Sequence, residues 1–356
     1  MNRFIPIEVA RGFLATWVVV YHVWAINGKD QPNLLDGGVA VSVFFSLSGF
    51  LMAFVLTSAK WDYQQFVVRR FFRLFPVYAV CVSVSAALVW FDVMPQNFDA
   101  GTEVYHAAAH ATMLHGLVPD QWLRNSAGAF LTPAWTLSVE WQFYLLIPAF
   151  FMAYRRFPQM ATIALVGAGF SMRLLGLLGI EMPWATLPVH MPMFLLGILS
   201  FALYDWITTH QNVLPASTTK LLFLIPVLPL LFLSLRQGIS VVVWLSILAV
   251  VLADRLTGAS NASSRIRRWL FCRPLRGLGA VSYSLYLIHE PVIWVCSRIS
   301  GKNFHQADGL VPMLTSLAVV VPVSVGVAWL LFVFIEQPAI AYGRRRELRQ
   351  RNHQQL

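Results

Sequence analysis

Charge is scarce in this sequence. Asp, Glu, Lys and Arg make up only 12% of its 356 residues, about half the share found in a water-soluble domain. Too little polar surface is available to cover a globule of this size, which excludes a soluble enzyme or binding module of ordinary composition. Acidic residues are scarcer than basic ones, 16 against 26, and the formal net charge is +10. The basic residues sit in short clusters between apolar runs, a pattern of membrane topology rather than of nucleic-acid binding. Cysteine is nearly absent. Cys81, Cys272 and Cys296 lie in or beside apolar segments. They show neither metal spacing nor a disulfide framework, and read as small core residues. No repeat or low-complexity tract is evident. No small-residue cleavage site follows the apolar stretch 12–26, so that stretch reads as a retained helix rather than a removed signal.

What is present is hydrophobicity: 58% of residues, with a mean hydropathy of +0.64. Length alone suggests two domains, but the apolar runs continue from end to end. The sequence therefore predicts one membrane domain over 1–343 and a basic cytoplasmic tail over 344–356. A membrane helix needs about 20 mostly apolar residues. Ten segments qualify, at roughly 10–27, 37–58, 74–93, 133–154, 160–180, 184–204, 219–235, 238–254, 277–297 and 312–335. With the N-terminus in the cytoplasm, 20 of the 26 basic residues fall inside or at the inner end of a span, five fall outside, and Arg173 lies deep within a span. That asymmetry is what the positive-inside rule demands. The expected fold is all-α and polytopic, with about ten transmembrane helices and both termini cytoplasmic. The expected location is a bacterial inner membrane, since no eukaryotic targeting signal is present. The longest connection, 94–132, lies outside and carries three histidines in a short apolar stretch, and loops of that length often carry function.

Ionisable groups inside spans are costly and mark function by default. Arg11 and His22 are eleven residues apart on the first helix. That spacing overshoots three turns by about 20°, so both share a face, about 16 Å apart along the axis. A histidine can take a proton from a hydroxyl; an interhelical hydrogen bond accounts for His22 equally well. Arg69, Arg70 and Arg73 precede the third span on the cytoplasmic side. Arginine forks suit phosphate oxygens, while plain topological charge explains them at least as well on composition. In the segment 135–144, the aromatic residues Trp135, Trp141 and Tyr144 fit an interfacial belt. Glu140, beside Ser138, needs a partner or a wet cavity, and His22 is a plausible one. In the ninth span Ser282, Tyr286 and His289 recur at spacings of four and three and share a face; a polar interhelical seam explains them too. His190, Glu290 and Glu336 complete the set of intramembrane ionisable groups. His106 and His110 have a spacing that can bind metal, but no further ligand is evident and an interfacial helix is the better reading, so no metal site is expected. The triplet Asn261-Ala262-Ser263 falls on the cytoplasmic side, where glycosylation does not apply.

Taken together these residues resemble the acyltransferase-three family of integral membrane O-acyltransferases. The resemblance rests on separated motifs in order: Arg11 with His22, residues 44–50, Arg70-Phe71-Phe72-Arg73 with Pro76, residues 135–144, 187–197 and 282–289, and Glu336 with Pro338. It implies an acyl donor, usually acetyl-coenzyme A, taken from the cytoplasm, and a carbohydrate acceptor such as an exopolysaccharide, an O-antigen or a lipid-linked sugar. It implies no permanently bound cofactor, no nucleic-acid partner, and no room here for the extra periplasmic domain of some relatives. His22 is the expected catalytic histidine with Glu140 in support. Arg11, Arg69, Arg70 and Arg73 fall to the donor. Ser138, Tyr144, His190, Ser282, Tyr286, His289 and Glu336 are left as acceptor or structural polar positions. At His190 the resemblance leads one to expect arginine. The alternatives from other classes are a transporter or flippase of polysaccharide assembly, which should show internal repeats or paired broken helices, and a non-catalytic assembly subunit.

Overall fold

The computed structural model describes residues 4–26, 36–58, 61–160, 163–164, 167, 178–179, 182–210, 235–256, 272–301 and 310–354. Among them every regular element is helical and there is no strand. In chain order the helices are α1 (Ile5–Ile26), α2 (Gly37–Ser58), α3 (Tyr63–Trp90), α4 (Glu103–Ala111), α5 (Ala134–Arg156), α6 (Leu187–Thr209), α7 (Leu235–Leu256), α8 (Arg273–Ser300), α9 (Leu310–Leu331) and α10 (Gln337–Gln354). A 3₁₀ turn, His115–Leu117, follows α4, and a π turn, Phe332–Glu336, joins α9 to α10. Six of these segments are long and apolar enough to cross a membrane: Gly37–Thr57, Tyr63–Trp90, Ala134–Arg156, Leu187–Thr209, Gln237–Leu256 and Val311–Arg346.

Eight of the ten expected spans fall on a helix, and seven of them agree with it to within about five residues at both ends, the span on α3 being the eighth. The expected spans at 160–180 and 219–235 lie largely outside the described residues, as do Arg173 and the Asn261 triplet. Helix α3 begins at Tyr63, eleven residues before the expected start at 74. Asp62 caps it, its carboxylate accepting from the Gln65 amide at 3.1 Å, and good helix formers carry the turns through the arginine run. Its 28 residues reach about 42 Å, longer than the roughly 30 Å hydrocarbon core. Arg69, Arg70 and Arg73 are thus helical residues, not loop residues ahead of a span. Helix α10 likewise runs unbroken across the expected boundary at 343.

The chain forms two compact units. The first comprises 1–57 and 193–282; the second comprises 58–192 and 283–356. In the first, Phe50 is fully buried and meets Phe4, Phe201, Tyr204 and Trp244 edge to face, a preferred aromatic geometry. The Trp244 indole donates to Ser200 Oγ at 2.9 Å. Two seams of small residues bring backbones together, as lipid-embedded helices require. Along α2 and α6, a methyl at Gly197 would overlap the Ser46 carbonyl and one at Gly49 the Phe194 carbonyl, while Ser46 Oγ donates to the Met193 carbonyl at 3.0 Å. Along α1 and α8, a methyl at Gly279 would overlap the Glu8 carbonyl.

In the second unit α3 is the hub. Tyr63 Oη donates to the Leu145 carbonyl of α5 at 3.1 Å. Tyr283 Oη of α8 donates to the Leu74 carbonyl at 2.6 Å. Phe72 packs edge to face with Tyr342 of α10, ring centroids 5.1 Å apart.

Candidate active site

In the first unit, the ring of His22 lies near the C-terminal end of α1. Its Nδ1 is 2.9 Å from the Val18 carbonyl one turn earlier, and the Tyr21 ring stands perpendicular to it at 5.0 Å. A carbonyl can only accept, so the proton sits on Nδ1 and the lone pair of the neutral ring sits on Nε2. Arg11 lies three turns back on the same helix, half-buried. His22 belongs to the first unit and Glu140, its expected partner, to the second.

In the second unit, α3 and α5 bring together residues that the sequence had placed apart. The Arg70 guanidinium stacks over Phe66 at 5.4 Å and over Tyr144 at 5.3 Å. Tyr144 Oη donates to Glu140 Oε1 one turn back. Arg70 is also within electrostatic range of Glu140, Arg73 and Arg69. Arg70 and Glu140 thus fall in one cluster, both in contact with Tyr144. The cause is helix length. Starting α3 at Tyr63 lifts the arginines about two turns into the helix, level with the middle of α5. Three residues on, Arg73 Nη1 lies 2.9 Å from Glu336 Oε1 of the π turn, and Ser284 Oγ of α8 donates to Glu336 Oε2 at 2.7 Å.

A second set of polar contacts fixes the start of α5. Glu290 accepts from Thr132 N and from Thr132 Oγ1, both at 2.8 Å. Thr136 Oγ1 and Tyr286 Oη are hydrogen-bonded at 3.0 Å. Gln142 accepts from the Leu187 amide at 2.8 Å, and Ser138 Oγ accepts from the Gly116 amide at 3.0 Å. Ser138 and Tyr286 therefore hold the α5 end in place. His190 Nε2 donates to the Trp184 carbonyl at 3.0 Å, with its ring tilted against Trp135 at 5.1 Å. His289, fully buried, donates from Nδ1 to the Tyr286 carbonyl at 2.8 Å. Ser282 is buried on the same helix, in the first unit.

The 94–132 connection holds a feature that spacing did not reveal. His110 of α4 and His115 of the 3₁₀ turn stack face to face, centroids 4.0 Å apart and planes 8° from parallel. Tyr78 Oη lies 2.9 Å from His110 Nδ1 and 3.3 Å from His115 Nδ1. His115 Nε2 donates to the Ala134 carbonyl at 3.2 Å. Burial pushes the His115 ring down to about 4. Burial, and then the facing His115, push His110 well below the ordinary histidine value. Both rings are neutral at physiological pH. Three histidines in an apolar loop were visible in the sequence; the pairing of His110 with His115 across a turn was not, because it arises from the packing of α4 on α3 and of the 3₁₀ turn on α5. Among the described residues no group of three His, Cys, Asp or Glu side chains could hold a metal ion.

Comparison with known families decides what this arrangement belongs to. The acyltransferase-three profile, described as an acyltransferase domain, matches residues 5–333. The chain belongs to the acyltransferase-three family. The match takes in α1 to α9 with Arg11, His22, Arg70, Arg73 and Glu140, and bears out the O-acyltransferase reading of the motifs. BcsY of Komagataeibacter xylinus, named as a membrane-bound transacylase, is 26% identical over 99% of this chain and 86% of its own length. YrhL of Bacillus subtilis, named as a peptidoglycan O-acetyltransferase, is 25% identical over 97% of this chain and 56% of its own. OatA of Listeria monocytogenes, also named as a peptidoglycan O-acetyltransferase, is 24% identical over 84% of this chain and 51% of its own. The chain thus spans most of BcsY but only about half of YrhL and OatA. No solved structure matches the chain.

Proposed function

We propose that this protein moves an acyl group, acetyl in the first instance, from acyl-coenzyme A to a hydroxyl of a cell-surface or exported carbohydrate, as a ten-span inner-membrane protein with both termini cytoplasmic. The observation that carries the reading is the 2.9 Å contact of His22 Nδ1 with the Val18 carbonyl. The Val18 carbonyl holds the proton on Nδ1, which leaves Nε2 as the basic, nucleophilic nitrogen. In the base route, Nε2 takes the proton of the sugar hydroxyl as its oxygen attacks the thioester carbonyl. The C–S bond breaks, the imidazolium returns the proton to the departing thiolate, and an ester and free coenzyme A result. In the acyl-histidine route, Nε2 attacks the thioester and expels the coenzyme A thiolate, which takes up the Nδ1 proton; the sugar hydroxyl then attacks the acyl carbonyl, the C–N bond breaks, and the hydroxyl proton returns to the ring. Arg70 and Arg73 supply planar cationic forks for the donor's phosphates, with Arg69 and Arg11 adding charge. The relatives named as a transacylase and as O-acetyltransferases support acyl transfer, and those named for peptidoglycan support a carbohydrate acceptor.

The test compares the O-acetyl content of surface polysaccharide in a deletion strain complemented with wild type or with His22→Ala at equal membrane expression. Restoration by wild type and not by the variant is expected. Restoration by both would remove His22 from the chemistry. Acetyl-coenzyme A turnover by the purified protein separates an acyltransferase from a transporter, which consumes no thioester.

A further inference from the structure

Glu336 is the most deeply buried carboxylate among the described residues, 1% exposed. It closes the π turn Phe332–Glu336, in which the Gln337 amide reaches back five residues to the Phe332 carbonyl. Pro338 follows. It lacks the N–H that an α-helical turn would give to the Phe334 carbonyl, so the widened turn comes where the α ladder is already broken. The extra residue in the turn rotates Glu336 off the face set by α9 and aims it at α3. There Oε1 lies 2.9 Å from Arg73 Nη1. This contact is off the N–H axis, because Oε1 makes no aligned hydrogen bond, and the pairing is therefore coulombic. Oε2 takes the aligned hydrogen bond, from Ser284 Oγ at 2.7 Å. The residue before Ser284, Tyr283, faces the Arg73 guanidinium at 6.0 Å and bonds to the carbonyl of the residue after it, Leu74.

The pair is asymmetric. The Glu336 side chain is sealed, at 0% exposure, whereas that of Arg73 is 23% exposed. A buried ion pair kept only for stability is a poor device, since apolar residues of the same volume commonly do as well or better. A sealed carboxylate behind a partly open guanidinium does something else. Its charge holds Nη1 on the buried side and leaves the rest of the fork toward the open side for an incoming anion. We propose that Glu336, held by Ser284, is a positioning residue for Arg73. It sets the direction in which that arginine meets the phosphate groups of acyl-coenzyme A. The proposal rests on the donor role given to Arg73 above.

The test uses the full chain, purified in lipid nanodiscs, with acetyl-coenzyme A as donor and thiol release as readout. Glu336→Gln keeps the volume and the hydrogen bond but removes the charge. Its KM for acetyl-coenzyme A should rise about tenfold while kcat stays close to wild type. Glu336→Asp should recover part of the loss. Ser284→Ala leaves the charge in place and loosens only the carboxylate, so it should show a smaller rise in KM, and it reads the proposal even where Glu336→Gln fails to fold. Wild-type KM in a folded Glu336→Gln or in Ser284→Ala, or a fall in kcat and melting temperature alone, overturns the positioning role while leaving the donor reading intact. A folded wild-type protein that turns over no acetyl-coenzyme A removes the donor reading and this inference together.

Discussion

The stacked histidines show what a single buried side chain can impose. Folding seals the His115 ring against Tyr78 and His110, and desolvation lowers its proton affinity from 6.5 to about 4. The depression corresponds to roughly 3 kcal/mol in favour of the neutral ring. The unfolded chain takes up a proton below about 6.5 that the folded chain refuses until about 4. The stability tied to the neutral ring is therefore complete above about pH 6.5 and is lost as the pH falls from there toward 4. His110 faces the same ring and shifts in the same direction, so the two effects add. The melting temperature of the detergent-solubilised protein should fall across that window, and His115→Asn should flatten the fall. An identical pH slope in both proteins would remove the stack as its source. At this scale the sequence was informative about which groups matter and silent about whom they meet. Residues His22, Glu140, Arg70 and Arg73 stood out because ionisable groups in or beside an apolar run are costly, although structural explanations stood beside the functional ones. The partners of Arg73 and His110, namely Glu336 and His115, lie 263 and five residues away, and neither separation carries a periodic signal.

Among the helices, legibility follows hydropathy. The segment 37–58 was read to the residue and 238–254 to within three residues, because their apolar runs end in polar ones. The start of α3 was misplaced by eleven residues because charge was taken as the edge of a helix, whereas Asp62 and helix propensity set that edge. The close-packed seams were hidden for a different reason: Gly49, Gly197 and Gly279 look like ordinary apolar positions until backbones are placed beside them. Their physical content is testable at Gly197, where a methyl would overlap the Ser46 carbonyl of α2. The overlap is with backbone, not with a flexible side chain, so the seam has to open. Gly197→Ala should destabilise the first unit by about 1–3 kcal/mol, seen as a lower melting temperature with no change in KM for acetyl-coenzyme A. An unchanged melting temperature would mean that α2 and α6 can separate slightly without cost. The residue also sits within 187–197, a stretch that carried the family resemblance, and on this reading its glycine is there for packing.

Across the whole molecule, two distributions must agree if the proposed orientation holds. One is the charge bias, with 20 of 26 basic residues assigned to the cytoplasmic side. The other is the parity of the spans, which places the 94–132 connection opposite the arginine-rich tail only if the number of crossings after it is odd. Seven of the ten proposed spans follow that connection, and two of the ten, 160–180 and 219–235, lie largely outside the described residues. The tail therefore carries the discriminating information: losing one of those two spans would flip it, and losing both would restore it. Single cysteines introduced at Trp122, an 81% exposed loop residue, and at Arg345, exposed in α10, can be challenged with a membrane-impermeant thiol reagent in intact cells, after the three native cysteines are replaced. Labelling at 122 and protection at 345 until the membrane is opened is the expected result. Labelling at both would break the even span count and with it the cytoplasmic tail. Protection at 122 with labelling at 345 would invert the protein, putting Arg70 and Arg73 on the side where no acyl-coenzyme A is found, and the donor assignment would fall with the topology that supports it.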